Sequence, residues 1–285
     1  MVNQLQVFNQ QYWETAWRDD PNTSLKRMKK AGLGSNQSEG FANWAKNFDN
    51  SSFNKEGVKR TERIIKWVEN QINSFEGLSV LDIGAASGVF SIPFAKRGAI
   101  VSSLEPSPLL SSMLKVNANN HSVDVNIMNQ PFEELNSINS ERFDLVFASM
   151  CPAITDWDAV KKALRLSKKY FYVSLMAGPK ENQLIEELLS ALNLKGENTS
   201  SDMYYLLQLL YLNNYTYQTL IERHQKTVNM TIDEVVNNLE IWFVDYNIEL
   251  NNDQKDEAVN YLTRTYGKKI PVTTGGKFGK ILVHL

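Results

Sequence analysis

Two acidic residues and a turn of small residues follow one another in VLDIGAASGVFSIPFAKRGAIVSSLEP, residues 80–106. Asp82 lies in an apolar run, the turn from Gly84 to Gly88 follows it, and Glu105 ends the next apolar run. Glycine lets the backbone pass close to a ligand above the end of a strand. Because ligands of open α/β sheets bind at the carboxyl ends of the strands, these residues predict a cofactor site.

The spacing separates two classes of cofactor. A dinucleotide site requires Gly-x-Gly-x-x-Gly, whereas the order here is Gly-x-x-x-Gly, with Ala86 in the middle position. A carboxylate at Asp82 would also lie close to a pyrophosphate and repel it. S-adenosylmethionine (AdoMet) carries an ammonium, a sulfonium and a ribose but no phosphate. Asp82 suits its cationic end, whereas Glu105 could accept ribose hydroxyls of either class of cofactor. The turn and Asp82 therefore favour AdoMet.

Short apolar segments alternate with helical ones around this motif. LSVLDIG, AIVSSLEP, VDVNIMN, RFDLVFASM and KYFYVSLMA read as strands, and SGVFSIPFAKRG, PLLSSMLKVNANN and AVKKALRLS as helices. This alternation predicts βαβ units and a mostly parallel sheet. The region after residue 180 reads as mainly helical, with YTYQTLIERHQKT as a candidate strand and GGKFGKILVHL as a closing strand.

Three of these segments resemble the motifs of a known family. VLDIGAASG, LEPSPLL and FDLVFAS resemble successive motifs of class I AdoMet-dependent methyltransferases, and NWAKNFD resembles a helix that precedes the core in many small-molecule members. The resemblance implies an α/β fold with a Rossmann-like, mostly parallel seven-stranded sheet. We expect an N-terminal helical cap (1–55), an AdoMet-binding core (56–180), a mainly helical lid or substrate region (181–265) and a closing strand (266–285).

The resemblance also implies which residues bind the cofactor. Asp82 and the turn would hold the methionine end, Glu105 the ribose, and Leu110 the adenine. Pro131 stands where an aspartate is common, so Gln130 or the backbone would bind the adenine amino group, with Phe132 as a wall. The expected cofactor contacts are Asp82, Gly84, Ala85, Ala86, Ser87, Gly88, Glu105, Pro106, Leu110, Gln130, Phe132, Ser149 and Met150. Ala85 and Ala86 depart from the commoner glycine-rich turn, and alanine narrows the room for the methionine moiety.

The segment ASMCPAI matches the end of the fourth strand of the family, beside the transferred methyl group. Cys151 and Pro152 would line the substrate site, together with Trp44 from the preceding helix. Cytosine-5 methyltransferases use a Pro-Cys nucleophile, but the order here is Cys-Pro. We therefore interpret Cys151 as a packing or site-lining residue.

Methyl transfer is an in-line displacement at a carbon already activated by the sulfonium. Alignment of the two reactants and exclusion of water supply most of the catalysis, and they can lower the activation free energy by roughly 7–11 kcal/mol. An oxygen or protonated amine acceptor would also need a base, for which His224, Asp156 and Asp158 are the candidates. A thiol, thioether or metal-bound acceptor would need none.

Composition limits the partners. The 285 residues include 30 Lys and Arg against 32 Asp and Glu, a net charge of −2, which disfavours nucleic acid. The densest basic run, LKRMKK (residues 25–30), is typical of the solvated side of a helix. The single cysteine excludes an internal disulfide and a multi-cysteine zinc site, and we expect no metal. The sequence shows no signal peptide or membrane span, so we expect a soluble, cytoplasmic protein.

These observations predict an AdoMet-dependent methyltransferase with a small-molecule acceptor. Three alternatives stay open: an enzyme of the same fold that methylates protein or RNA, a nicotinamide dehydrogenase, and a non-catalytic AdoMet-binding regulator. The dehydrogenase is disfavoured by the missing third glycine and by Asp82. The sequence leaves open the acceptor and whether the chain is a monomer or a homodimer.

Overall fold

A computed structural model describes residues 6–30, 39–136 and 141–285, apart from the side chains of residues 39–41, so part of the predicted cap lies outside the described residues. The helices are α1 (Gln10–Asp19), α2 (Ser24–Lys30), α3 (Glu39–Phe53), α4 (Lys55–Ile72), α5 (Ser91–Ala95), α6 (Pro108–Asn120), α7 (Trp157–Leu166), α8 (Gln183–Ala191), α9 (Asp202–Leu212), α10 (Ile232–Val244) and α11 (Asn252–Thr265). The strands are β1 (Ser79–Ile83), β2 (Ile100–Leu104), β3 (Asn126–Met128), β4 (Phe143–Ser149), β5 (Ser167–Asn182), β6 (Thr216–Met230) and β7 (Ile270–His284). Within these ranges, no helix is long and apolar enough to cross a membrane.

The described strands form one sheet in the order β3-β2-β1-β4-β5-β7-β6. Strands β1 to β5 are parallel, and β7 runs antiparallel to both β5 and β6. This arrangement confirms the predicted mostly parallel, seven-stranded sheet, and β7 is the predicted closing strand. The strand order reverses where β1 lies beside β4, so the carboxyl ends of these strands form the crevice in which open α/β sheets bind ligands.

Helices cover both faces of the sheet. One face packs against α1, α7 and α9 through a core that includes Trp17 and Trp157. The other packs against α4 and α5 through a core that includes Ile65, Val68 and Ile72. These three residues recur three and four positions apart and therefore share one side of α4. The two layers hold the carboxyl ends of β1, β2 and β4 in fixed positions.

The strand β6 corrects one part of the predicted domain division. The candidate strand YTYQTLIERHQKT within the predicted lid or substrate region (181–265) is confirmed, but it does not belong to a lid, because Thr216–Met230 pair along their whole length with β7. This segment is therefore the edge strand of the core sheet. The helices α8, α10 and α11 of the same region form a separate hydrophobic core, which includes Ile270 and Val272 from the start of β7. The other boundaries stay predictions.

Candidate active site

The turn after β1 has the backbone conformation of a ligand-binding loop. Gly84, Ala86 and Gly88 have positive φ angles of 69°, 49° and 91°. Positive φ suits glycine but costs an L-amino acid such as alanine roughly 1–2 kcal/mol. The turn is held in place from β2, because the backbone N–H groups of Gly84 and Ala85 donate to the carbonyl oxygen of Leu104 at 2.9 and 3.1 Å.

Glu105 fixes the same turn through its side chain. One carboxylate oxygen accepts the backbone N–H of Ala86 at 2.9 Å, and the other accepts that of Ser107, just before α6, at 2.8 Å. Burial raises the pKa of Glu105, while these two hydrogen bonds act in the opposite direction. A carboxylate has about four lone-pair positions. Glu105 therefore keeps acceptor capacity for hydroxyl groups of a ligand above the turn.

Asp82 is a buried carboxylate beneath the turn. The Ser91 hydroxyl donates to its Oδ2 at 2.6 Å, and the Ser103 hydroxyl donates to Ser91 at 2.8 Å. Burial raises the pKa of Asp82 to about 7; the hydrogen bonds from Ser91 lower it, and the charge of Glu105 raises it further. Within the described ranges no cationic side chain forms an ion pair with Asp82. Since only 2% of the residue is exposed, its expected direct contact with the methionine end stays a prediction.

The end of β4 meets this turn through Cys151. A Cβ atom added at Gly84 would lie only 2.6 Å from the Cys151 Sγ, so the thiol fills the space beside the glycine. Met150 precedes it with a φ of 50°, and its backbone N–H donates to both the carbonyl and the hydroxyl oxygen of Ser174 at 3.0 Å. The Ser149 hydroxyl lies 3.1 Å from that of Ser174. Burial raises the pKa of Cys151 to about 12, so the thiol is protonated at neutral pH.

Cys151 also lines a cavity of about 570 Å³. Its volume lies in the range of small-molecule sites. The predicted residues Cys151 and Pro152 line it, together with Met150. Its other apolar side chains are Leu25, Met28, Ile154, Leu175, Met176, Ile241, Trp242 and Phe278, and its charged ones are Arg27, Lys180, Glu181, Asp202 and Asp245.

The three candidate bases lie elsewhere. His224, on β6, lies 3.0 Å from Nη2 of Arg63, in a half-exposed position. Asp156 accepts the backbone N–H of Ala159 at 2.9 Å and caps α7. Asp158, in the first turn of α7, pairs with Lys161 at 2.7 Å. None of the three is among the described residues that line the cavity, so the expectation that they act there as bases is not supported by this geometry.

The predicted substrate residue Trp44 lies on α3, where its ring stacks on that of Phe48 at 5.2 Å. It is not among the described cavity-lining residues. The helix α3 instead reaches the cofactor turn: Asn117 on α6 donates to Asp49 of α3 at 2.8 Å and to the carbonyl oxygen of Ser87 at 3.1 Å. The N-terminal helices therefore approach the turn and the cavity at different places.

The expected adenine contacts differ in how far they are exposed. Leu110 is buried in the first turn of α6, whereas its neighbour Leu109 is exposed. Phe132 is also buried, and the ammonium group of Lys162 lies 5.0 Å from the centre of its ring. Pro106 is exposed and Gln130 half-buried at the same end of the sheet. Leu109, and not Leu110, is thus the leucine that the first turn of α6 leaves exposed, which the motif alone does not reveal because it fixes no rotation of the helix.

The fold and the turn together define a class of protein. Residues 80–170 match the family model described as "Methyltransferase domain". These residues include the cofactor turn, Glu105 and the end of β4. The chain therefore contains a methyltransferase domain of the class I, AdoMet-dependent type, and the recognition made from its motifs is confirmed.

Curated relatives match a short part of the chain. The chain is 34% identical over 82 residues to the ubiquinone biosynthesis O-methyltransferase of Coxiella burnetii (strain RSA 493 / Nine Mile phase I), which is 29% of this chain and 34% of the relative. It is 40% identical over 72 residues to the enzyme of the same name from Methylobacterium sp. (strain 4-46), covering 25% of this chain and 28% of the relative. The chain thus spans about a third of the length of these relatives.

Solved structures show wider but more distant similarity. The YcgJ protein from Bacillus subtilis is 16% identical, with a TM-score of 0.49, over 78% of this chain and 98% of its own. Magnesium protoporphyrin IX methyltransferase from Synechocystis PCC 6803, solved with bound SAH, is 15% identical, with a TM-score of 0.48, over 96% of this chain and 100% of its own.

Proposed function

We propose that this chain transfers the methyl group of AdoMet to a small-molecule acceptor held in the cavity beside Cys151. The observation that carries this proposal is the position of Cys151 itself. Its Sγ lies against Gly84 of the cofactor turn, and the same residue lines the cavity of about 570 Å³. A cofactor on the turn and an acceptor in the cavity would therefore meet at the end of β4.

The residues of the turn fit AdoMet. Asp82 is a buried carboxylate without an ion-pair partner among the described residues, and a cationic ligand nearby would stabilise its charged form. Glu105 has acceptor capacity for ribose hydroxyls, and the buried Ser87 hydroxyl has no hydrogen-bond partner within the described ranges. Bound there, AdoMet supplies a methyl group already activated for displacement. The chain's own residues would bind it, orient it and keep water away.

The cavity fits an acceptor that needs little help from a base. Its carboxylates are engaged: Glu181 pairs with Arg223 at 2.9 Å, Asp245 pairs with Lys180 at 3.0 Å, and Asp202 accepts hydrogen bonds from Trp17 and Ser24. Alignment of the acceptor in an enclosed, apolar site would then supply most of the rate enhancement. The small-molecule assignment is further supported by the matched relatives, which are named as O-methyltransferases of ubiquinone biosynthesis.

The test combines binding with transfer. Calorimetric titration should detect AdoMet and its demethylated product S-adenosylhomocysteine, but not NAD⁺. The protein is then incubated with methyl-labelled AdoMet and a cell extract separated into low-molecular-mass, protein and RNA fractions. Label in the low-molecular-mass fraction supports the proposal. Label confined to protein or RNA would overturn the choice of acceptor, and absence of AdoMet binding would overturn the whole proposal.

A further inference from the structure

We infer that the acceptor carries a carboxylate that pairs with Arg27 in the wall of the cavity. This inference rests on the proposed function and adds the chemical class of the substrate: an apolar molecule with one acidic group. Arg27 would then be a residue that determines specificity. Its guanidinium would hold the acidic end of the acceptor and direct the rest of the molecule toward Met150 and Cys151.

Arg27 is buried but only partly satisfied. It is 7% exposed, and Nη1 donates to the side-chain oxygen of Asn198 at 3.2 Å and to the carbonyl oxygen of Asp245 at 3.1 Å. Nη2 donates to the carbonyl oxygen of Thr199. A guanidinium has five N–H donors. Nε–H has no hydrogen-bond partner among the described residues, and Nη2 has one.

The oxygen atoms that Arg27 does contact are all uncharged. Asp20, Asp202 and Asp245 act on Arg27 only at longer range, while burial lowers its pKa. Each of these carboxylates has closer partners: Asp245 pairs with Lys180, Asp202 accepts from Trp17 and Ser24, and Asp20 accepts from Ser201 and Tyr205. Arg27 is thus a buried cation without a direct anionic partner in the described part of the chain, which is an unfavourable state for a charge.

The chemistry of the free donors selects the ligand. A carboxylate accepts charge-assisted N–H bonds from a guanidinium, and such bonds are stronger than those between neutral groups. The side chains of Met28, Trp242 and Ile241 line the same cavity and provide an apolar surface for the remainder of the acceptor. None of the described carboxylates that line the cavity is without a partner. Asp202 already accepts three hydrogen bonds, from Trp17 and from both donors of Ser24, while Glu181 and Asp245 form ion pairs.

The experiment compares acids with their primary amides, which have nearly the same shape but no charge. The probes are indole-3-acetate, cinnamate and 4-phenylbutyrate, each titrated against protein saturated with S-adenosylhomocysteine, beside the corresponding amide. We expect at least one acid to bind about tenfold or more tightly than its amide. Arg27→Gln should abolish this preference, whereas Lys29→Gln, which removes a charge from an exposed position of the same helix, should preserve it.

A second variant covers the case in which Arg27→Gln fails to fold. Asn198→Asp places a carboxylate on Nη1 of Arg27 and should likewise remove the preference for acids. Equal binding of acid and amide, binding of no acid, or an undiminished preference in a folded Arg27→Gln or Asn198→Asp protein would overturn the inference. Titration with AdoMet and the labelling experiment in parallel separate this result from failure of the proposed function, because the proposed function fails if AdoMet does not bind or if label enters only protein or RNA.

Discussion

The carboxylate of Glu105 accepts the backbone N–H of Ala86 at 2.9 Å and so ties the end of β2 to the middle of the cofactor turn. This bond reaches the residue of the turn whose conformation is least favourable, since Ala86 has a φ of 49°. The acidic residue after β2 therefore has a structural role in addition to its expected contact with ribose. Substitutions of Glu105 and of Ala86 should separate the two roles.

Glu105→Gln should weaken AdoMet binding about tenfold or more. The amide offers one acceptor oxygen where the carboxylate offers two, and its NH₂ group faces one of the two backbone N–H donors. Loss of a hydrogen bond to a charged group costs about 1.5–3 kcal/mol, which calorimetric titration would resolve. Glu257→Gln, at an exposed position on α11, is the control. Unchanged affinity in Glu105→Gln would show that this carboxylate does not organise the site.

Ala86→Gly should leave the free energy of unfolding unchanged or raise it by up to about 1 kcal/mol. The substitution removes the cost of a left-handed alanine, although the more flexible unfolded chain offsets part of the gain. Ala86→Val should destabilise the protein, because a β-branched residue fits this conformation poorly. Urea denaturation measures both. Ala159→Gly in helix α7 is the control, since glycine there should cost about 1 kcal/mol. A similar loss in Ala86→Gly would contradict the strained turn.

The raised pKa of Asp82 predicts that the free protein loses stability as pH rises. The pKa changes from 3.8 for an ordinary aspartate to about 7 in the folded protein, so between these values the folded state binds more protons than the unfolded state. The free energy of unfolding therefore falls across this interval, by a few kcal/mol. Asp82→Asn should remove this part of the slope in urea titrations from about pH 4 to 8. Asp124→Asn, an exposed site, should keep it.

The same residue predicts proton release when AdoMet binds. A cationic ligand near Asp82 favours its carboxylate form, so binding below about pH 7 should release a proton. Affinity should then rise with pH and level off above that value. Calorimetry in buffers with different ionisation enthalpies counts the protons. If the wild-type protein releases no proton on AdoMet binding, or if the Asp82→Asn protein still releases one, the cationic end of AdoMet does not lie near Asp82.

Gly84→Ala and Cys151→Ala should be coupled. The new methyl group at Gly84 would meet the Cys151 Sγ at 2.6 Å, so Gly84→Ala should destabilise the protein by about 1–3 kcal/mol. Removal of the sulfur in the double variant relieves the collision but not the cost of positive φ. The coupling energy from a double-mutant cycle in urea should reach about 1 kcal/mol. Additive effects would mean that the two residues are not packed as described.

The local sequence predicted most of the structure around the cofactor turn. Strands β1 to β5 alternate with helices in a pattern that specifies a parallel sheet, and in such a sheet Asp82 and Glu105 must come near the same end of neighbouring strands. Their hydrogen bonds were harder to predict, because Asp82 accepts from Ser91 and Glu105 from the backbone of Ala86, which lie 9 and 19 positions away in the sequence. Spacing predicted where these residues lie but not which atoms they contact.

The acceptor half was largely beyond sequence reasoning. The run LKRMKK has the composition of a solvated helix face, yet Arg27 within it is buried against residues 171 to 218 positions further along the chain. Nothing in the run itself distinguishes Arg27 from the exposed Lys29. Similarly, Asp156 follows the end of β4 closely in sequence but turns out to cap α7. Such outcomes depend on contacts between distant segments, which a local pattern does not encode.

The strand β7 contributes side chains to two packed regions, the separate core of α8, α10 and α11 and the central sheet with a core on each face. Ile270 and Val272 at its start pack with α8, α10 and α11, while Ile281, Leu282 and Val283 near its end pack within the two faces of the central sheet. One continuous strand is therefore shared by both regions. If either region unfolds, the other loses the strand that both share. The two regions should therefore unfold together, with a single calorimetric transition, although they pack separately.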